Sequence, residues 1–289
     1  MSLTVAINGL LIGSLYGLVG MGLSLLAGVV RLINLAQGDI LVGGAYLAIA
    51  LHGVLGWDPL WLLPIVAVAI FCGCYVVQKW LLNSLVTREP LALLVVTFGL
   101  SLLLESLYQE LFGANPASLP AFWGDTGFTV LGVRIETLYV VAFITGAVLA
   151  ACTWFLLYRT HFGRTVRAAA ADASTARLLG VDVERVFALT FGLAGVLAAA
   201  AGVILAVGQS VSPTSGLSLL VFSFTVMVIC GIGNVIGAVV AGMFVGLLQA
   251  IAGAVIGQSS TDLAVYVFLL VFLIVFPSGI LKRRELGIR

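Results

Sequence analysis

Thirteen basic, twelve acidic and two histidine side chains are all this sequence offers for ionic chemistry, and their spacing excludes most of it. A phosphate-binding loop needs Gly-Lys-Ser/Thr, because backbone amides and a lysine must cradle the phosphates together. The two lysines, Lys79 and Lys282, follow Gln78 and Leu281, so neither fits. No His-Glu-x-x-His pair and no Ser/His/Asp set is present, and the charge rule puts His52 and His161 on opposite sides of the membrane. Cys72, Cys74, Cys152 and Cys230 all lie in apolar runs. Cys72 and Cys74, two apart, point to different faces of a helix. They read as buried filler, the usual fate of free cysteine, without zinc or disulfide spacing. No catalytic residue, metal ligand set or bound cofactor is expected, and an enzyme is disfavoured.

One carboxylate stands inside an apolar run: Glu105, in Leu-Leu-Leu-Glu-Ser-Leu. It is either a path-lining or gating group at membrane depth, or a group near the outer end of its span reaching the interface beside Tyr108, Gln109 and Glu110. The second reading is favoured, since charged groups near helix ends snorkel cheaply.

The elements that must position these residues follow from composition. The chain is 62% hydrophobic and 9% charged, whereas about a quarter of a soluble domain is charged. Residues 1–30, 59–78, 90–104, 137–158 and 263–281 hold no formal charge, nor do the 76 residues from Val186 to Thr261. Lipid is the solvent that tolerates this, with roughly 20 apolar residues per crossing. Spans are expected near 5–30, 40–56, 59–79, 91–110, 137–158, 186–207, 217–233, 235–257 and 263–281. They must be helices, because unpaired backbone in lipid is too costly and the pattern lacks a barrel's alternation. The fold class is therefore all-α, a polytopic transmembrane helical bundle of eight to nine spans. It forms one membrane domain over 1–289, with a charged cytoplasmic segment at 159–185. The N-terminus has no basic region and no clear cleavage site, so it is read as a retained span.

Orientation follows from lysine and arginine. With the N-terminus outside, Arg31, Lys79, Arg88, five arginines in 159–185, Lys282, Arg283, Arg284 and Arg289 fall inside; only Arg134 falls outside. That asymmetry places the C-terminus in the cytoplasm. The loop 112–136 lies outside, with Pro116 and Pro120 as turn signals and Phe122 and Trp123 as interfacial anchors. A net charge of +1 gives no nucleic-acid signal. What remains is a protein that forms a path through the bilayer, driven by a gradient, a partner or nothing.

Two segments stand out. The stretch Gly163–Arg185 is the most charged part of the chain. Its alanines predict a short surface helix from about Thr165 to Leu179, stopped at Gly180. Ala169, Ala173, Ala176 and Leu179 come close to one face, whose small side chains would let another backbone approach. It is either a docking helix for a soluble partner or an ordinary charged loop. Further upstream, Asn34, Gln37, Gly38 and Asp39 interrupt apolar sequence between the first two spans. Polar backbone at membrane depth is tolerated only when buried in protein or lining a cavity. The segment is either a broken span beside a path or a cytoplasmic turn near Arg31. Gly43 and Gly44 would let the next span pack closely, and Gly231, Gly233 and Gly237 suit similar packing.

Taken in order, five pieces carry a resemblance: Asn34-Leu-Ala-Gln-Gly38 with Gly43-Gly44-Ala45-Tyr46; Thr97-Phe-Gly99-Leu-Ser101; Gly163-Arg164 with Arg167 to Asp172 and Leu178-Leu-Gly180; Gly231-Ile-Gly233-Asn234-Val-Ile-Gly237; and Pro277-Ser278-Gly279-Ile280. Over nearly its whole length the chain resembles branched-chain amino-acid ABC transporter permeases, specifically the H-type (LivH-like) subunit. The resemblance implies a bacterial inner-membrane importer built with a second permease subunit as a heterodimer. Two cytoplasmic ATPase subunits would carry the ATP, and a periplasmic solute-binding protein would deliver leucine, isoleucine or valine. It makes 165–181 a coupling helix, with Arg167, Ala169, Asp172, Ala173, Ala176, Leu179 and Gly180 at the ATPase. The segment lacks the Glu-Ala-Ala of better-known coupling motifs. It implies a translocation path past Asn34, Gln37, Gly38, Gly43, Thr97, Ser101, Glu105, Gly231 and Asn234. Two rivals remain: the same architecture importing urea, amides or another small solute, and a gradient-driven carrier or channel.

Overall fold

A computed structural model describes residues 3–86, 90–124, 126–130, 133–257 and 261–276. Its elements are α1 (Leu3–Val29), α2 (Gln37–Leu55), α3 (Pro59–Val77) running on through a π-turn (Gln78–Leu82) into α4 (Asn83–Val86), and α5 (Pro90–Phe112). A small hairpin, β1 (Gly127–Val130) with β2 (Val133–Glu136), precedes α6 (Thr137–Arg159). Then come α7 (His161–Ala171), α8 (Ala173–Leu178), α9 (Val183–Gly208), a 3₁₀ turn (Pro213–Ser215), α10 (Gly216–Cys230), α11 (Val235–Val255) and α12 (Thr261–Val275). Among the described residues, eight helices are long and apolar enough to cross a membrane; α12 is a shorter apolar helix. The Pro277–Ile280 motif, Arg88 and the basic tail lie outside the described residues, as does the side chain of Arg134.

Helices α1 and α9 form the buried centre. With almost nothing but apolar residues around their whole circumference, they have no face to offer water and must be enclosed by others. The most extensive contact runs along α1 and α11. Gly9, Gly13 and Gly17 recur every fourth residue and meet Gly246, Gly242 and Ala238 with no room for an added carbon. Without a hydrophobic force between helices in lipid, such backbone-to-backbone dispersion contact holds them together. On the other flank α9 receives Phe71 and Cys74 of α3 at Gly192 and Gly195, and α2 at Ala199 and Gly202. Helices α3, α5, α6 and α12 expose long rows of Leu, Val, Ile and Phe, the surface expected of lipid or of another membrane chain.

These contacts set levels across the bundle. Asn83 of α4 donates to the Glu184 carbonyl at the start of α9, while Leu138 at the start of α6 lies against Gly208 at the end of α9. The first pair marks the inner side by the charge rule, the second the outer side. On the outside, Ala117 and Val211 pair as an isolated antiparallel bridge, and the Leu119 amide donates to the Ala206 carbonyl. Trp123, expected to anchor at the interface, donates its indole N–H to Asp58 at 3.0 Å; Phe122 is 92% exposed.

Candidate functional site

The polar residues ahead of α2 form a broken span rather than a cytoplasmic turn. Helix α1 ends at Val29, and two residues on Arg31 adopts φ 57°, a left-handed conformation that glycine would take more cheaply. The chain then turns back into the bundle without regular structure, and Leu32, Asn34 and Ala36 are buried. Gln37, at the start of α2, donates from Nε2 to the Ala194 carbonyl at 3.1 Å. Ala194 lies near the middle of α9, so α2 begins near mid-membrane.

Side chains compensate for the missing helix there. Asn34 accepts the Ala36 amide at 3.1 Å and donates from Nδ2 to Gln37 Oε1 at 3.2 Å, so the oxygens of both side-chain amides are occupied. Irregular backbone at this depth survives because protein surrounds it and these bonds occupy its polar atoms. One residue on, Gly38 lies directly against the Gly216 carbonyl, and Asp39 fills the space where Gly216 would carry a side chain. The first turns of α2 and α10 therefore meet inside the bundle. Asp39, 2% exposed, accepts the Ser101 hydroxyl from α5.

The α5 residues line up on this cluster. Ser101, Glu105 and Tyr108 fall on one helical face by their spacing of four and three. Tyr108 packs at Gly43, where a side chain would overlap its hydroxyl. Glu105 sits between them, half-buried, accepting the Gln109 amide at 3.2 Å. Thr97 is buried but spends its hydroxyl on its own Leu94 carbonyl at 3.1 Å. The structure thus gathers Asn34, Gln37, Gly38, Gly43, Ser101 and Glu105 around the broken start of α2.

Gly231 and Asn234 stand apart, in the turn between α10 and α11. Gly231 and Gly233 have φ 80° and 79°, and Ser24 of α1 bonds both: its hydroxyl donates to the Gly231 carbonyl at 3.1 Å and receives the Gly233 amide at 3.0 Å. Asn234 caps α11 by accepting the Gly237 amide at 3.0 Å. These residues build a structural corner rather than extending the α2 cluster. Asp39 stands out in the sequence only as an interruption; Gly216 gives no signal there, since only packing brings it to Gly38.

The segment between α6 and α9 differs from expectation. Instead of one helix from Thr165 to Leu179 there are two, α7 and α8, separated at Asp172, whose backbone is extended. Asp172 caps α8, taking the Ser174 amide at 2.9 Å and the hydroxyls of Ser174 and Thr175. Aspartate offers the backbone this alternative to a continuing helix, which defeats the alanine propensity around it. The same donors hold its carboxyl well below the ordinary carboxylate range. Ala169 and Ala176, expected on an outward small face, are buried against this chain, and Arg167 donates to the Leu157 carbonyl and lies 5.6 Å over the Tyr158 ring. What faces outward is Leu178 and Leu179, 88% and 80% exposed, just before Gly180 at φ 83°.

Against known proteins, the model of the family described as branched-chain amino acid transport system / permease component matches residues 5–276. The chain is 32% identical to the high-affinity branched-chain amino acid transport system permease protein LivH of Escherichia coli strain K12, over 96% of this chain and 95% of that one. It is 29% identical to the corresponding BraD protein of Pseudomonas aeruginosa, over 97% and 95%. It is 27% identical to the ribose import permease protein RbsC of Bacillus subtilis, over 78% and 66%. With a match over nearly its whole length and helices apolar enough to span the bilayer many times, this chain belongs to the branched-chain amino acid transport permease family.

Proposed function

We propose that the chain is the membrane subunit of an ATP-driven, binding-protein-dependent importer of branched-chain or other hydrophobic amino acids in a bacterial inner membrane. The observation that carries this is the near-full-length similarity to two branched-chain amino acid permeases. The charge-poor interior agrees with it: apolar cargo needs few ionic contacts, and an ion-coupled carrier would be expected to keep several ionisable groups at depth. The chain carries no phosphate loop, so ATP would be bound and hydrolysed by two cytoplasmic subunits. A second permease, as a heterodimer partner, would cover one of the exposed apolar faces, and a periplasmic protein would deliver the cargo.

Force from the ATPases enters, in this reading, through Asp172–Gly180. Leu178 and Leu179 form an exposed apolar knob on the inner side, and α7 transmits the push because Arg167 fastens it to α6 and Ala169 is buried within the chain. The broken start of α2 is the element that gives way, since its fastening is a handful of side-chain bonds rather than a helical ladder. Cargo then passes beside Asn34, Gln37, Asp39 and Ser101.

The test is reconstitution in proteoliposomes. With both ATPases, the second permease and a binding protein, leucine uptake should require ATP; the purified chain alone should be inert. ATP-independent leucine flux driven by an ion gradient, and abolished by Glu105→Gln, would overturn the reading in favour of a coupled carrier. Ribose or another polyol taken up in place of leucine would retain the architecture and change the cargo, an outcome for which the ribose permease relative is the precedent.

A further inference from the structure

On the outer side, away from the α2 cluster, two adjoining cavities of about 410 and 240 Å³ open among α1, α6, α9, α10, α11 and α12. They share Tyr16, Gln209 and Gln249 as common walls. Their polar lining is unusual for this chain: Asn8, Tyr16, Tyr139, Gln209, Gln249 and Asp262 all converge here from the outer portions of apolar elements. Polar side chains in such helices are costly against lipid and mark water-filled or ligand-filled space. Two of them are held in place: the Tyr16 hydroxyl donates to Gln249 Oε1 at 2.7 Å, and its ring stacks on Phe222 with centroids 5.1 Å apart. Asn8 Oδ1, by contrast, is buried with no hydrogen-bond partner among the described residues.

The smaller lobe combines three chemistries. Asp262 is the one acidic side chain among its described lining residues; Gln209 and Gln249 bring amides; Leu205, Leu219 and Phe222 form an apolar wall. Below it the way inward is shut. Leu15, Tyr16, Val19, Leu41, Ala201 and Leu219 enclose only about 10 Å³, at the lower limit for a single water.

We infer that this outer cavity is a low-affinity binding site for a zwitterionic α-amino acid with an apolar side chain, the first station of the cargo inside the membrane domain. The ammonium group pairs with the Asp262 carboxylate. The carboxylate takes N–H bonds from the Gln209 and Gln249 amides. The side chain lies on Leu219 and Phe222. Tyr16 and Leu219 form the floor, closed until the ATPases act. The inference rests on the proposed import of hydrophobic amino acids and adds where the cargo first binds.

Ser218 is exposed in the same lobe and takes no part in the pairing, so it serves as a reporter. In the complete complex in proteoliposomes, S218C should react with a membrane-impermeant methanethiosulfonate applied from the binding-protein side. Leucine should slow that reaction at millimolar concentration. Leucinol and 4-methylpentanoate, which lack one charge each, should protect about tenfold less well, the factor expected for one charge-assisted bond. Adding Asp262→Asn or Gln209→Leu should weaken leucine protection by the same factor, while the complex still assembles. The site is overturned if leucine gives no protection, if the two analogues protect as well as leucine, or if both variants leave protection unchanged. Labelling is read without transport. Failure to import leucine therefore counts against the proposed function, and failure of protection in a leucine-importing complex counts against this site alone.

Discussion

At the residue scale the structure depends most on side chains that are missing. Gly38 has the Gly216 carbonyl where its Cβ would be, and Gly216 has Asp39. Gly38→Ala should therefore push the starts of α2 and α10 apart, costing ~1–3 kcal/mol as overpacked cores do, and show as a lowered melting midpoint of the detergent-solubilised complex. Ser101→Ala tests the neighbouring bond. It leaves the buried Asp39 carboxylate without the hydroxyl it accepts, a loss of about 1–3 kcal/mol for a charged group, and Asp39→Asn combined with it should recover part of that loss. A melting midpoint unmoved by Ser101→Ala would mean that Asp39 has another partner. The interruption at Asn34 to Asp39 is plain in the sequence as polar residues in an apolar run. That Asp39 is the member reaching across to α5 is not, because nothing local to either segment encodes the approach.

At the scale of elements, α8 exists because Asp172 ends α7 and caps the turn beyond it. Its carboxylate form makes those bonds, so its pKa lies below the ordinary range. The stabilisation is present above the ordinary carboxylate pKa and disappears only as pH falls through the depressed value. Hydrogen exchange at Ser174 and Thr175 should thus be insensitive to pH between about 5 and 8 once corrected for intrinsic rates. Asp172→Ala should speed it several-fold, and Asp172→Asn, which also caps, much less. The leucine knob at the end of α8 makes a separate prediction. Leu178→Ser with Leu179→Ser should lower leucine uptake and stimulated ATPase activity together by about tenfold, with expression unchanged because both side chains are exposed. Unaltered activity in that double variant would remove the knob from coupling.

For the whole molecule, the seam between α1 and α11 joins the first helix to one near the other end of the sequence, and so fixes how the rest is wrapped. Gly13→Leu should be among the most damaging changes available. Its side chain would have to enter the backbone of Gly242 and Met243, and size-exclusion chromatography should report aggregate in place of a monodisperse peak. The exposed Ala254→Leu, on α11 near its outer end, serves as the tolerated control. The small-residue repeat at 9, 13 and 17 can be seen in the sequence; its partner cannot, since Gly242 and Gly246 could equally serve a contact between chains.

The sequence by itself determined that this is a helical membrane protein and where most of its spans lie. Those are properties of composition and charge, which the bilayer reads one segment at a time. Its motifs also carried the family. Only the tertiary structure decided that α2 begins level with the middle of α9, that the alanine face of the 163–180 segment turns inward while Leu178 and Leu179 turn out, and that Asn8, Gln209, Gln249 and Asp262 share one cavity system. Each depends on which helices become neighbours and at what height. In lipid that is settled by close contact between small residues far apart in the chain, a fit that no single segment contains.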